Sequence, residues 1–276
     1  MRKSKYLVLS SFYFDFNNDL SEIKEIKALF ENQNILDLFR FDKMKTIIKE
    51  KFSKHENFNF IYLPVSIEKI NEYAFWNCKI QILDLSNCIN LKIIGEKSFL
   101  NNQIKELKLP ENIEIIGSES FLNNKIETLD LSSCINLNII NECAFESNQI
   151  KQLKLPKNIE TLSFSSFAYN KIQNLDLSNC IKLKNIGRYT FIENQIKHLK
   201  LPKNVEIIGN LAFDGNQIET LNLSNCINLR IIKVYAFFNN PIKQLKLSKN
   251  IELIEYHAFE NNQIESLDLS NCIKLK

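Results

Sequence analysis

The sequence has few of the residues on which most catalytic sites depend. Only three histidines occur, His55, His198 and His257, and no two of them share a motif. The chain contains no H-E-x-x-H, no glycine-rich phosphate loop, no G-x-S-x-G and no C-x-x-C sequence. We therefore expect a protein that is not an enzyme and that has no catalytic residue, no metal ligand and no cofactor.

Long apolar runs and an excess of charge of one sign are also lacking. No stretch reaches the roughly 18 apolar residues of a membrane-spanning helix, so no membrane span is predicted. The 35 basic and 32 acidic residues are interspersed along the chain, and the net charge is only +3. A nucleic-acid partner calls for a clustered basic patch, so none is expected.

What the sequence does contain is a strict repeat. Tetrads such as Leu107-Lys108-Leu109-Pro110 alternate with tetrads such as Leu129-Asp130-Leu131-Ser132, and the steps between them alternate between 22 and 24 residues. We call these the short step and the long step; together they make a 46-residue double repeat. The ten tetrads begin at Ile61, Leu83, Leu107, Leu129, Leu153, Leu175, Leu199, Leu221, Leu245 and Leu267. A phenylalanine lies eight residues before each tetrad from the second onward: Phe75, Phe99, Phe121, Phe145, Phe167, Phe191, Phe213, Phe237 and Phe259.

Each tetrad predicts a short strand with both apolar residues on one face, because side chains alternate along a strand. Asparagine or cysteine follows where the chain must turn, at Asn112, Asn158, Asn204 and Asn250 and at Cys88, Cys134, Cys180, Cys226 and Cys272. The asparagines can satisfy backbone groups in a buried turn. A second asparagine column is expected to cap the next turn, at Asn102, Asn124, Asn148, Asn170, Asn194, Asn216, Asn240 and Asn262. Tight backbone turns are predicted at Gly95, Gly117, Gly187 and Gly209.

With these columns in place, the run Ile-Gly-x-x-x-Phe-x-x-Asn-x-Ile-x-x-Leu-x-Leu-Pro within residues 93–110 resembles the BspA-like, or treponemal-type, leucine-rich repeats. The resemblance covers residues 58–276. It implies an α/β fold, a right-handed leucine-rich-repeat solenoid in which ten short parallel strands line the concave face. Members of the family often act in surface adhesion or host interaction, so the resemblance also implies a role in binding.

The five cysteines at the repeated turn are predicted to be unpaired thiols in the core. Cys88 and Cys134 lie two rungs apart, about 9.6 Å if strands stack at about 4.8 Å. A disulfide needs Cα atoms within about 7 Å of each other, and the same spacing prevents four cysteines from converging on a metal. Free thiols favour an intracellular, reducing compartment, while secretion or surface display stays open.

Residues 1–57 lack the repeat and are predicted to form an N-terminal α/β cap, separate from the solenoid of residues 58–276. The apolar run over residues 6–14 favours a buried cap strand over a signal peptide, because Ser10 and Ser11 interrupt it and no cleavage site follows. Two amphipathic helices are expected next. Their apolar faces consist of Ile23, Ile26 and Phe30, and of Met44, Ile47, Ile48 and Phe52.

The candidate binding face is the exposed side of the strands. In each tetrad one residue lies between the two apolar residues, and from one tetrad to the next it alternates between lysine and an acid. This alternation indicates a self-neutralising ladder or, alternatively, a striped surface for a charged partner. The residue before each tetrad is less regular and is where specificity would lie. The predicted binding residues are Glu106, Lys108, Thr128, Asp130, Gln152, Lys154, Asn174, Asp176, His198 and Lys200.

A second candidate surface is an apolar stripe of residues that follow the phenylalanines, Trp76, Leu100 and Leu122. We expect the cap helices to cover it; the alternative is an exposed patch with Trp76 as its anchor.

The sequence thus predicts a non-catalytic protein-protein interaction scaffold with a protein partner. Two alternatives remain: a surface adhesin, or a protein that self-associates through its uncapped C-terminal strand.

Overall fold

The computed structural model describes residues 35–39, 41–54 and 58–276, and these residues form a coil of parallel β-strands of about nine turns. Two strand series alternate along the chain. The first series consists of β1 (Ile35–Asp37), β3 (Phe60–Tyr62), β5 (Ile82–Asp84), β7 (Glu106–Lys108), β9 (Thr128–Asp130), β11 (Gln152–Lys154), β13 (Asn174–Asp176), β15 (His198–Lys200), β17 (Thr220–Asn222) and β19 (Gln244–Lys246). The second series consists of β2 (Thr46–Ile47), β4 (Lys69–Ile70), β6 (Ile93–Ile94), β8 (Ile115–Ile116), β10 (Ile139–Ile140), β12 (Thr161–Leu162), β14 (Asn185–Ile186), β16 (Ile207–Ile208), β18 (Ile231–Ile232) and β20 (Leu253–Ile254).

The first series contains nine of the ten predicted tetrad strands. The tenth tetrad makes a single bridge, in which Ser266 pairs with Gln244. Self-association through this last strand stays a prediction, as does the right-handed sense of the coil. The second series, a continuous ten-stranded parallel sheet, was not predicted.

The core is a ladder of phenylalanine rings, one in each turn, and it confirms the predicted series. Successive rings are stacked with centroids 5.2–5.6 Å apart and planes within 11° of parallel, from Phe52 to Phe259. Leucine and isoleucine side chains from both strand series pack against the rings. Because each turn touches only its neighbours, this core grows with the number of turns.

A buried asparagine ladder runs beside the rings and confirms the predicted capping role. The side-chain oxygen of Asn148 accepts a hydrogen bond from the amide of Ile126 (3.1 Å), and its Nδ2 donates to the carbonyls of Phe121 (2.9 Å) and Phe145 (3.2 Å). The other seven asparagines of the column make equivalent bonds. Each asparagine therefore joins its own turn to the preceding one.

The prediction of unpaired core thiols is confirmed for the five cysteines at the repeated turn, which are buried and form no disulfide. Burial raises the pKa of Cys134 and Cys180 to about 11, so neither thiol is ionised near neutral pH. The glycines owe their place to close packing of turns. A Cβ atom at Gly209 would lie 2.7 Å from the carbonyl carbon of Gly187. The φ angle of Gly209 is not positive, so the close approach of the two turns, and not the backbone conformation, requires glycine here.

The α/β assignment is wrong for the described residues, which contain no helix and hence no helix able to cross a membrane. The second predicted cap helix is also wrong: Ile47 lies in β2, which pairs with β4, and Phe52 begins the ring ladder. The spacing of these apolar residues suits one face of a helix, but it is also the spacing of the repeat itself.

The other cap elements, the strand over residues 6–14 and the helix with Ile23, Ile26 and Phe30, lie outside the described residues. The division at residue 58 stays a prediction. In the described part, β1 pairs in parallel with β3 across that point.

Candidate interaction face

All ten predicted binding residues lie on one face of the first strand series, in β7, β9, β11, β13 and β15, and all ten are exposed. We call this surface the strand face. The central leucine of each strand points the other way, into the core, as the alternation of side chains requires. The structure therefore brings the ten predicted residues together as two parallel columns.

The strands of this face are grouped in doublets, a feature that the sequence reading did not anticipate. Strands joined by a long step pair over three residues, as β9 pairs with β11 and β13 with β15. Strands joined by a short step pair over one residue, as at Glu106 and Thr128, and β11 and β13 fall in different sheets. The two step lengths thus divide the face into tightly paired units.

Ion pairs follow the doublets. The lysine ammonium lies 3.0 Å from the carboxylate in Lys108–Asp84 and in Lys154–Asp130, and 3.3 Å in Lys200–Asp176. Among the described residues, no ion pair crosses the short step from Lys108 to Asp130 or from Lys154 to Asp176. The alternating ladder is therefore neutralised within each doublet and not between doublets.

The aspartates of this column also terminate their strands. Oδ1 of Asp130 accepts hydrogen bonds from the amide (3.0 Å) and the hydroxyl (2.5 Å) of Ser132. The Ser132 hydroxyl, together with Lys154, holds the pKa of Asp130 below its usual value. Asn222 accepts the same two bonds from Ser224, so an amide can replace the carboxylate in this turn. A structural task thus accounts for the acidic column without any partner.

A third column on this face consists of the residues two before each tetrad. It also alternates lysine with acid, but its ion pairs are fewer. Lys151 pairs with Glu127 at 2.8 Å across a long step. Gln173 stands in this column where the pattern calls for an acid, and Asn222 does the same in the column of Asp130. In the described part of the chain, the lysines that follow them, Lys197 and Lys246, have no ion pair. In these two doublets, therefore, Lys197 and Lys246 have no opposing acid to neutralise them.

The column that precedes the leucines differs from both ladders. We call it the variable column: Glu106, Thr128, Gln152, Asn174 and His198. In the described part of the structure, none of these five side chains makes a hydrogen bond or an ion pair, although each is exposed on a paired strand. The fold therefore holds their backbones in place and leaves their polar groups open to solvent.

The apolar stripe is half-buried at each of its three members, Trp76, Leu100 and Leu122. Trp76 packs edge-on against Tyr73 with ring centroids 5.9 Å apart, and the Lys54 ammonium lies 4.9 Å from the indole. These contacts come from turns of the coil and not from the predicted helices.

Two features of the same edge were missed. Asp214, which occupies the stripe position four turns after Leu122, is buried beside Glu193, and burial followed by the charge of Glu193 raises the pKa of Asp214 to about 6. A shallow groove of about 380 Å³ has Asn77, Asn101 and Asn123 in its lining. These polar groups come together only through the stacking of turns, so no local sequence motif predicts them.

Comparison with known proteins gives one family and several structural neighbours. The sequence matches the family model of the BspA-type leucine-rich-repeat region in six copies, over residues 21–137, 135–229 and 212–275. No curated protein matches it.

Among solved structures, the chain is similar to a leucine-rich-repeat protein from Bacteroides ovatus, with 18% identity and a TM-score of 0.54. The match covers 80% of this chain and 56% of the other, so the chain spans little more than half of that protein's length. YopM, a leucine-rich effector protein from Yersinia pestis, gives 17% identity and a TM-score of 0.42 over 84% of this chain and 72% of its own. The functional domain of InlJ from Listeria monocytogenes gives 15% and 0.39 over 77% and 62%.

Proposed function

Because the chain belongs to the BspA-type leucine-rich-repeat family, we propose that it is a non-catalytic scaffold that binds a protein partner through the strand face. The variable column carries this proposal. Its five side chains are exposed, differ from turn to turn and have no structural partner in the described part of the chain. A regular coil needs no such variation, whereas selective binding does.

The two charged columns play a supporting part in this proposal. The Asp130–Lys154 pair and its equivalents are already neutralised and tied to turns, so a partner gains little by replacing those contacts. They fix the register of the strands and so hold the variable column rigid. A rigid surface loses less conformational entropy on binding than a mobile one does.

The doublets arrange residues of the variable column in opposed pairs. Asn174 and His198 lie opposite each other on a fully paired doublet, as do Thr128 and Gln152. A partner that reads these pairs contacts two neighbouring side chains at once on a fixed backbone. We therefore expect the energetically important contacts to come in such pairs.

The test is a pull-down from the native source with the tagged full chain and two variants. The first variant replaces the variable column with alanine: Glu106→Ala, Thr128→Ala, Gln152→Ala, Asn174→Ala and His198→Ala. The matched control replaces five exposed residues in or beside the second strand series: Lys69→Ala, Asn138→Ala, Glu142→Ala, Glu160→Ala and Asn185→Ala. Thermal unfolding verifies that both variants are folded.

We expect the unaltered chain and the control to capture the same protein, and the first variant to lose it. Equal capture by all three would move the binding site off the strand face. Failure of the unaltered chain to capture any protein would contradict the scaffold function.

We also propose that the protein works in a reducing, intracellular compartment. The support is that the five cysteines of the repeated turn are buried and form no disulfide, and that burial raises the pKa of Cys134 and Cys180 to about 11. Fractionation of the native source with immunodetection tests this. Recovery of the protein at the cell surface would contradict it and would favour the adhesin alternative.

A further inference from the structure

The long step differs from the short step by an insertion of two residues. In the second sheet Ile140 pairs with Ile116, so Leu137 takes the place of Ile113 and residues 135–136 are extra. The first inserted residue is an isoleucine in each of the four long steps, and an isoleucine has the same position after the last tetrad. These isoleucines form what we call the isoleucine ridge: Ile89, Ile135, Ile181, Ile227 and Ile273.

The ridge is exposed although it is apolar. Its five side chains are 48–86% exposed, whereas Leu131 and Leu137, on either side of the insertion at Ile135, are fully buried. The repeat therefore places an exposed isoleucine at the same position on every second turn.

The backbone of the ridge is held on both sides. The amide of Ile135 donates to the carbonyl of Ser133 (2.8 Å), and the carbonyl of Ile135 accepts from Nδ2 of Asn158 on the next turn (2.9 Å). Equivalent bonds form at Ile89, Ile181 and Ile227. The repeat therefore holds these isoleucines outward on a fixed backbone.

Lysines accompany the ridge. Lys157 immediately precedes Asn158, whose side chain donates to the carbonyl of Ile135, so the backbone of Lys157 lies close to the ridge. Lys203 and Lys249 have the same position on later turns. Lys182 and Lys274 directly follow their isoleucines. All five lysines are exposed and, within the described residues, none has an ion pair.

Several lysines on neighbouring surfaces of the coil are instead paired with acids. Lys154 and Lys184 both contact carboxylates, at 3.0 and 3.7 Å. The positions equivalent to Lys157 contain one acid, Glu111, at the N-terminal end. The ridge is thus an aliphatic row with an uncompensated positive flank along most of its length.

We propose that the isoleucine ridge docks on an anionic phospholipid surface, with the isoleucines at the boundary between headgroups and acyl chains and the lysines among the lipid phosphates. Lysine is depleted at protein interfaces, whose binding energy comes mainly from tryptophan, tyrosine and arginine, and the ridge and its flank have none of these. Aliphatic side chains beside unpaired lysines are instead typical of surfaces that bind anionic membranes.

This docking uses no side chain of the variable column. The strand face can therefore keep its partner while the ridge is on the membrane, and the failure of either proposal leaves the other intact.

The experiment is co-sedimentation of the full chain with two kinds of vesicle, one of phosphatidylcholine alone and one of equimolar phosphatidylcholine and phosphatidylserine. The ridge variant carries Ile135→Asn, Ile181→Asn and Ile227→Asn. Its matched control carries Ile115→Asn, Ile139→Asn and Leu253→Asn, which change exposed residues of the second sheet.

A second pair of variants tests the lysines and avoids any change to apolar packing. The flank variant carries Lys157→Gln, Lys203→Gln and Lys249→Gln. Its matched control removes the same charge from the strand face through Lys105→Gln, Lys197→Gln and Lys243→Gln, residues that are exposed.

We expect binding to the anionic vesicles only. The ridge variant should bind these vesicles at least about tenfold more weakly. The flank variant should lose about fivefold in affinity for each lysine that is replaced. The two controls should bind like the unaltered chain, and circular dichroism should show all variants folded.

Two results would overturn the proposal. One is the absence of binding by the unaltered chain. The other is an equal loss in the flank variant and its control, which would mean that overall charge, and not the ridge, attracts the vesicles.

Discussion

The carboxylate of Asp130 lies 3.0 Å from the ammonium of Lys154, on the strand one long step later. Lys154 has no such contact with Asp176, one short step further on, in the described part of the chain. Asp130 also stabilises the turn that ends β9, because it accepts two hydrogen bonds from Ser132. One residue thus serves a doublet and a turn together.

These two roles can be separated by mutation. Asp130→Asn removes the ion pair but keeps the turn, as Asn222 does naturally, and should lower the free energy of unfolding by about 0.2–1 kcal/mol. Asp130→Ala also removes the turn and should cost about 0.5–2 kcal/mol. Denaturant unfolding measures both. Equal losses would show that the turn contributes nothing.

The asparagine ladder should be far more sensitive than the surface. Asn148→Ala leaves the amide of Ile126 without its acceptor and removes one of the two asparagine hydrogen bonds that the carbonyls of Phe121 and Phe145 each accept, so it should cost about 2–4 kcal/mol. Asn136→Ala, on the exposed insertion, is the control and should change stability by less than about 0.5 kcal/mol. Similar unfolding midpoints for the two variants would contradict this role of the ladder.

The ring ladder offers a matched pair within one turn. Phe167 is fully buried between Phe145 and Phe191, whereas Phe164 is 40% exposed. Phe167→Ala should cost about 3–5 kcal/mol because it opens a cavity in the stack. Phe164→Ala should cost much less in the same thermal or denaturant unfolding measurement. A mild effect at Phe167 would mean that the stacked rings are not the core.

Stability should depend on pH through Asp214. Its pKa is raised to about 6 in the folded chain, above its ordinary value of 3.8, so the folded state favours the protonated form. This group therefore stabilises the fold most below about pH 4, and that contribution is lost as the pH rises through 6. Asp214→Asn should raise stability above pH 6 and flatten the profile between these limits.

The neighbouring carboxylate supplies the control for this effect. Glu193→Gln should lower the pKa of Asp214, since the charge of Glu193 is a cause of its elevation. Unfolding curves recorded between pH 4 and 8 compare the variants. An Asp214→Asn profile that coincides with the unaltered chain would contradict the raised pKa.

The sequence predicts the strands of the first series, the rings and the asparagine ladder because each position recurs at a fixed distance from the tetrad. It does not predict the second sheet, whose strands are only two residues long, as at Ile139 and Ile140, and show no alternation. Ile47 and Phe52 are five residues apart, as are Ile70 and Phe75. That early turn was mistaken for a helix because the tetrad before it begins at Leu36, 25 residues before Ile61, and so lies outside the alternation of 22 and 24 residues.

The binding face is predictable as a set of exposed columns, but the division of labour among them is not. Whether Asp130 serves a turn or a partner depends on its hydrogen bonds to Ser132, which the sequence does not display. The grouping in doublets likewise depends on strand register, which is fixed by contacts between turns. The isoleucine ridge was overlooked because Ile135 lies in a stretch where every other isoleucine is in the core or a sheet.

The most direct test of the scaffold account is a calorimetric titration of the captured partner, purified, into the chain. Three forms are compared: the unaltered chain, the variant with alanine throughout the variable column, and the second-sheet control. The account predicts a loss of affinity of about tenfold or more for the variable-column variant and no change for the control. Equal affinities for all three forms would contradict it.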